Sequence, residues 1–249
     1  MRTVIVLACT LAAGAPAWAG PRAASDTEVE RRILAEANGF RESQQLAPLV
    51  EAPALSAEAR AFAAYMARSG RYSHTADGHS PSERAEAAGY GYCELGENLA
   101  YLQDGSSPSA DALARRFMEG WKASPPHRRS LLDPDVVDTG VGVATSPQHP
   151  SRSYAVQVFG RPQSREFSFQ VSNRSAQSVS VSFQGESQRV DPYVNITYTA
   201  CEPASLVFAS PPVTGVATFR PERPTQYRLE PSPDGIKVEE HDYKPKGGA

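Results

Sequence analysis

The chain has 249 residues, with 25 basic and 28 acidic side chains and a formal net charge of −3. This balance excludes a polybasic protein that binds nucleic acid. No uncharged apolar run reaches the roughly 18 residues that a membrane-spanning helix needs, which excludes an integral multi-pass membrane protein. The length allows one large domain or two small ones.

The N-terminal residues are typical of an export signal. Arg2 precedes an apolar stretch from Val4 to Ala13, and Ala17-Trp18-Ala19 supplies small residues at the two positions that a signal peptidase reads. We therefore predict a signal peptide over residues 1–19, and a periplasmic or extracellular location for the rest of the chain.

Four helices are predicted between residues 28 and 132, where apolar residues recur every three or four positions. Serine N-caps mark the starts, and glycine or proline marks the ends. The first follows the stripe Val29, Ile33, Ala37 and Phe40; the second runs from Ser56 to Gly70; the third runs from the capping box Ser80-Pro81-Ser82-Glu83 to Gly89; and the fourth runs from Ser109 to Pro125-Pro126.

The spacing changes from helical to alternating after residue 138. Val141 and Val143, and then Tyr154, Val156 and Val158, alternate with small or polar residues, as half-buried strands do. A turn at residues 148–151 joins the two stretches. Helices that pack on an antiparallel hairpin predict an α+β fold.

Only short alternating stretches remain beyond residue 161, and turn residues separate them. This pattern predicts a small all-β, sandwich-like domain over residues 161–241, followed by a disordered tail over residues 242–249. No cluster of acidic or histidine residues marks a site in the predicted all-β domain. The stretches begin at Phe167, Val179, Val194, Leu206, Ala217, Tyr227 and Ile236.

Two cysteines remain after removal of the signal peptide, Cys93 and Cys201. In an oxidising compartment they could pair. They lie far apart in the sequence and in different predicted domains, so we favour two buried free thiols over a disulfide.

Several short motifs carry polar residues that could do chemistry. Together, their order and spacing resemble the CAP superfamily (cysteine-rich secretory proteins, antigen 5 and pathogenesis-related 1 proteins), also called SCP-like, and most closely its bacterial secreted members. The resemblance covers about residues 28–160 and implies an α-β-α sandwich with a central cleft, which we assign to residues 26–160. The motifs are Tyr72-Ser73-His74, Gly96-Glu97-Asn98, Trp121 to Arg128, Gly140-Val141-Gly142-Val143 and Tyr154 to Gly160, with Asn38, Arg41, Arg84 and Gly89-Tyr90 as further matches.

The resemblance also implies a set of cleft residues. In this family the cleft carries two histidines and up to two acidic residues, which here correspond to His74, His127 and Glu97. Ser124 stands where many eukaryotic relatives have a second acidic residue. We therefore predict a ligand-binding cleft formed by His74, Glu97, His127 and Ser124, with His74 and His127 as candidate metal ligands.

The same residues allow more than one kind of chemistry. Two neutral imidazoles and a carboxylate could hold Zn²⁺ with an open fourth position and activate water. They could equally form a hydrogen-bonded network that ties loops to the sheet, since a carboxylate fixes an imidazole tautomer. Ser124 lacks the nucleophile elbow of serine hydrolases and suits a turn or a cap.

Three functions remain open at this stage. The favoured one is a secreted, non-enzymatic binding module, whose cleft holds a small apolar or lipid-like ligand or a cell-envelope component. The second is a zinc-dependent, peptidase-like hydrolase that uses His74, Glu97 and His127. The third is a structural or interaction protein of the envelope, which docks through the all-β domain. The sequence does not indicate the oligomeric state.

Overall fold

A computed structural model describes residues 25–105, 108–209 and 212–244. The predicted signal peptide and residues 245–249 of the predicted tail lie outside these ranges. The helices are α1 Asp26–Ser43, α2 Pro53–Ser69, α3 Pro81–Ala87, α4 Ala110–Ala123 and α5 Pro125–Leu131. The strands are β1 Val50–Glu51, β2 Tyr92–Gln103, β3 Asp138–Thr145, β4 Arg152–Pro162, β5 Phe167–Asn173, β6 Val179–Phe183, β7 Glu186–Val190, β8 Asn195–Ala200, β9 Leu206–Phe208, β10 Thr218–Phe219, β11 Thr225–Ser232 and β12 Gly235–Asp242.

The first half of the chain is an α-β-α sandwich, as the resemblance implies. Its sheet has the order β1-β3-β4-β2, in which β2, β4 and β3 are antiparallel and β1 pairs in parallel with β3. The hydrophobic core on one face joins α1, α4 and α5 to the sheet, and the core on the other face joins α2 and α3 to it. Strand β2 lies at the edge of the sheet, between these two helical layers.

Two glycines of β3 allow α2 to lie directly against the sheet. A Cβ atom on Gly140 would come within 2.1 Å of the backbone of Leu55, and one on Gly142 within 2.1 Å of the backbone of Ala59. The backbone of α2 cannot give way at either position unless the whole helix moves, because α2 also fills the core of this face. The Gly-Val-Gly-Val motif therefore serves helix-sheet packing.

Replacing Gly142 with alanine is expected to lower the free energy of unfolding by about 1–3 kcal/mol, because the added methyl group overpacks the contact with α2. Urea denaturation measures this change. Gly120 is the matched control: it lies exposed in α4 with open space around it, so Gly120→Ala should raise stability by about 0.5–1 kcal/mol. A Gly142→Ala variant as stable as the Gly120→Ala variant would contradict the packing role.

The buried Arg41 anchors the segment around α5. It donates hydrogen bonds to the backbone oxygens of Ala47 at 2.8 Å, Leu131 at 2.9 Å and Asp133 at 2.8 Å. Asn38 of the same helix exchanges two hydrogen bonds with the backbone of Leu49, at 3.0 and 2.8 Å. These contacts tie the chain after α1 and the end of α5 to one helix, so α5 has a defined position.

The predicted helix boundaries are right at some ends and wrong at others. Ser80 forms the predicted capping box with Glu83, and Ser109 caps α4. However, α2 begins at Pro53, and Ser56 lies inside the helix, where its hydroxyl donates to Glu51 at 2.8 Å. The fourth helix ends before Pro125-Pro126 as predicted, since α4 stops at Ala123, but Pro125 then opens the unpredicted helix α5, because proline suits a first helical turn.

The second half of the chain is an all-β region, as predicted. One sheet has the order β10-β9-β6-β7 and the other β12-β11-β5-β8, and a single core of buried aromatic and branched residues lies between them. Strand β7 escaped prediction because four of its five residues are exposed and polar. The predicted tail begins too early, since Asp242 pairs with Thr225 as the last residue of β12.

A disulfide between Cys93 and Cys201 joins the two halves, so the prediction of free thiols is wrong. Their Cα atoms lie 5.3 Å apart despite a sequence separation of 108 residues. The all-β region folds back onto the start of β2, where the Gln163 amide donates to the Gly91 carbonyl at 3.0 Å. Sequence distance was a poor guide here, because this packing brings remote segments together.

Three carboxyl groups meet beside the disulfide. Burial, together with the neighbouring Glu202 and Asp133, raises the pKa of Glu94 to about 8. A group whose pKa is higher in the folded state stabilises the fold while protonated and loses that contribution as it ionises. The contribution of Glu94 to the free energy of unfolding therefore decreases as the pH rises.

Glu94→Gln is expected to reduce this pH dependence. Between pH 4.5 and about 8, the wild type should lose unfolding free energy relative to the variant, because the glutamine carries no charge to repel Glu202 and Asp133. Chemical denaturation at both pH values measures the difference. Glu119→Gln, at an exposed position of α4, is the control and should leave the pH dependence as in the wild type.

Candidate functional site

The candidate residues lie along the edge strand β2, and three different elements carry them. Gly70 ends α2 in a left-handed conformation, with φ of 70°, and the chain then enters the loop that carries His74. Glu97 lies in β2, and His127 lies in the first turns of α5. The side-chain amide of Asn98 donates to the His127 carbonyl at 3.0 Å, which holds α5 against the strand.

His74 and Glu97 form a close pair. The Nδ1 atom of His74 lies 2.6 Å from Oε1 of Glu97. The Glu97 side chain is only 1% exposed, whereas that of His74 is 53% exposed. Because the carboxylate accepts the hydrogen bond, the imidazole proton is held on Nδ1, and Nε2 is the nitrogen left for a ligand.

Arg84 holds the other oxygen of Glu97. Its Nη2 atom donates to Oε2 of Glu97 at 2.5 Å, and its Nε atom donates to Glu58 at 2.6 Å. The side chain is 8% exposed, and its guanidinium lies 3.5 Å from the centre of the Phe62 ring. Both oxygens of Glu97 are therefore occupied by protein groups.

Arg84 also fixes the loop that carries His74. Its Nη1 atom donates to the carbonyls of His74 at 3.0 Å and His79 at 2.8 Å, and to the Asp77 carboxylate at 3.2 Å. Sequence reasoning included Arg84 only as a family match and gave it no role. Its partners come from α2, the loop and β2, and no local spacing in the sequence relates these segments.

His127 lies close enough to His74 for the two imidazoles to interact. Burial lowers the pKa of His127, and the neighbouring His74 lowers it further. The His127 ring is therefore neutral at neutral pH, which is the form that accepts a hydrogen bond or binds a metal.

Ser124 has a structural role as the residue between α4 and α5. Its amide donates to the Gly120 carbonyl at 3.2 Å, and its carbonyl accepts from the Arg128 amide at 2.8 Å. Its hydroxyl makes no capping hydrogen bond. These contacts match the turn role that the sequence favours, and its membership of the cleft stays a prediction.

Two exposed tyrosines, to which sequence reasoning gave no role, border the His74–Glu97 pair. Tyr72 is 43% exposed and Tyr101 is 49% exposed, and their ring centres lie 5.0 Å apart in an edge-to-face arrangement. Burial raises the pKa of Tyr72, with smaller contributions from Tyr101 and Glu97. A signal existed, because Tyr101 follows Glu97 by four positions and therefore projects from the same face of β2.

Comparison with known proteins identifies the family. A family model described as the cysteine-rich secretory protein family, CAP, matches residues 34–159, which is half of the chain. The chain belongs to the CAP family. A comparison with curated proteins finds no match.

Several solved structures are similar to about half of the chain. An outer surface protein from Borrelia burgdorferi is 19% identical, with a TM-score of 0.49, over 56% of this chain and 96% of that one. An extracellular SCP-domain protein from Bacillus anthracis is 23% identical, with a TM-score of 0.46, over 55% of this chain and 41% of that one. A cysteine-rich secretory protein from Staphylococcus aureus is 18% identical, with a TM-score of 0.41, over 54% and 38%.

The cleft brings the imidazoles of His74 and His127 near each other, but it does not supply the three-ligand shell considered for zinc. No group of three or more histidine, cysteine, aspartate or glutamate side chains in the described parts of the chain is arranged to hold a metal ion. Both carboxylate oxygens of Glu97 already accept hydrogen bonds, one from His74 and one from Arg84. The residues therefore do not fit a zinc site with three protein ligands.

Within residues 25–105, 108–209 and 212–244, no helix is long and apolar enough to cross a membrane.

Proposed function

We propose that this CAP protein is an exported binding protein, whose cleft holds a small apolar or lipid-like molecule or a component of the cell envelope. The observation that carries the proposal is the exposed pair Tyr72 and Tyr101 beside the His74–Glu97 pair. Exposed aromatic rings offer a large apolar contact area, and the phenol groups and imidazoles can fix a polar end.

The hydrogen bonds of Glu97 favour binding over hydrolysis. A general base or a metal ligand needs an oxygen that can reach the substrate or the metal. Glu97 is 1% exposed, and its two oxygens accept from His74 and Arg84. It therefore orients His74, and the groups left to meet a ligand are Nε2 of His74, the His127 ring and the two tyrosines.

The proposal is tested with the purified protein after removal of the signal peptide. Organic extracts are analysed by mass spectrometry for a copurified ligand, and binding to vesicles made from extracted envelope lipids is measured. Tyr72→Ala with Tyr101→Ala should weaken binding at least about tenfold, since each ring buries apolar area worth roughly 1–2 kcal/mol. Tyr193→Ala, at a 72% exposed position of the all-β region, is the control and should bind as the wild type does.

A protein that carries no ligand and binds neither lipid nor an envelope fraction would contradict the proposal. Equal binding by the Tyr72/Tyr101 double variant would move the binding site away from the cleft.

A second candidate is metal-dependent hydrolysis at a site with only two histidine ligands, and the position of His127 next to His74 favours it. The neutral imidazole is the form that coordinates Zn²⁺. Titration of the wild type with Zn²⁺, compared with His74→Ala plus His127→Ala, tests this candidate. Equal affinity in the two proteins removes the metal site, and hydrolytic activity that survives in the variant removes these residues from the mechanism.

A further inference from the structure

A groove separate from the His74–His127 cleft lies between α2 and α3. Its volume is about 460 Å³. Its apolar lining comes from small residues on both helices and from the ring of Phe62. The residues that form this lining are Ala57, Ala61, Phe62, Ala87 and Ala88.

Glu58 lines this groove, and one of its carboxylate oxygens has no hydrogen-bond partner in the described part of the chain. Its side chain is 2% exposed, and one oxygen accepts from Nε of Arg84 at 2.6 Å. The second oxygen, Oε2, is buried and has no hydrogen-bond partner among the residues that the structure describes. A buried acceptor without a donor costs about 1–3 kcal/mol, so a native protein has reason to supply one.

The charges around Glu58 leave an excess of negative charge. Arg84 contacts three carboxylates, from Glu58, Asp77 and Glu97, and Arg68 is the further cation that lines the groove. The pKa of Glu58 is raised to about 7, mainly by burial; Arg84 opposes this shift, and the negative charges of Glu97 and Asp77 support it. A cation that reached Oε2 would neutralise part of this excess.

We propose that the α2–α3 groove binds a small primary amine, whose ammonium group donates to Oε2 of Glu58 and whose alkyl body packs on the alanines. The unsatisfied atom is an acceptor, so the ligand must bring a donor. The net negative charge selects a cation, and the apolar lining selects a carbon chain. A metal ion would need several free oxygen ligands, and Asp77 and Glu97 are already bound to Arg84.

Hexylammonium chloride is the probe that tests the proposal with the full chain after signal removal. Binding is followed by amide chemical-shift changes in two-dimensional NMR spectra. The shifts should map to α2 and α3. Affinity should increase as the pH rises through about 7, because ionised Glu58 is the stronger acceptor. Glu58→Gln should weaken binding about tenfold or more and remove this pH dependence.

Two further variants test the proposal even if the Glu58→Gln protein does not fold. Ala61→Trp places a large ring at an exposed position of the groove and should abolish binding, whereas Ala35→Trp at an exposed position of α1 should bind as the wild type does. The Tyr72/Tyr101 double variant should also bind normally, which separates this site from the cleft.

Three results would overturn the proposal: no binding of hexylammonium at millimolar concentration, equal binding of hexan-1-ol, or shifts that map to the His74 loop and disappear in the Tyr72/Tyr101 variant.

Discussion

Arg84→Met is expected to lower the free energy of unfolding by about 3–5 kcal/mol. Methionine fills much of the same space against Phe62 but leaves Glu58, Asp77 and Glu97 without their shared cation. Removing one partner of a buried ionic group is costly, because the remaining charges stay buried and unpaired. Urea denaturation measures the loss.

Arg68→Met is the matched control for this variant. Arg68 lies exposed near the end of α2, so the same substitution there should change stability by less than about 0.5 kcal/mol. The Arg84 variant should also release the His74 loop, which appears as faster amide exchange around His74 and His79. An Arg84→Met protein that is as stable as the Arg68→Met protein would show that the carboxylates do not depend on Arg84.

The Cys93–Cys201 disulfide is expected to contribute about 3–5 kcal/mol to stability. It closes a loop over a sequence separation of 108 residues, and cross-links across long loops remove much of the entropy of the unfolded chain. Denaturation of Cys93→Ser plus Cys201→Ser, compared with the wild type, measures this contribution.

Dithiothreitol provides the control for the cysteine variant. The reductant should lower the stability of the wild type towards that of the double variant and leave the double variant unchanged. Equal stability of the oxidised and reduced wild type would contradict the role of the disulfide.

Local patterns in the sequence were sufficient to predict much of the helical structure. The apolar stripe of α1 and the capping box at Ser80 act over three or four residues, so their meaning does not depend on the rest of the chain. The alternating valines of β3 and β4 were equally informative, because one face of each strand packs on a core.

Strand β2 escaped prediction for a reason connected with the cleft. Its centre carries Glu97 and Asn98, which interrupt the apolar alternation. These polar side chains are buried because they bind Arg84, His74 and the backbone of His127. The polar groups that form the site therefore also interrupt the alternating pattern from which the strand would be predicted.

The residue pairs that join distant segments could not be read from spacing. Motif resemblance placed His74, Glu97 and His127 in one cleft. It gave no indication that Arg84 would bind Glu97 or that Cys93 would form a disulfide with Cys201. Both depend on how complete elements pack, and that information is spread over the whole chain.

The disulfide has a consequence for proteolysis. The turn between β3 and β4 is exposed at Gln148, His149 and Pro150, and it lies between Cys93 and Cys201 in the sequence. A protease that cut this turn would produce two fragments, one with each cysteine, and the bond would keep them together. The nicked protein would migrate as one species on a gel without reductant and as two species with it.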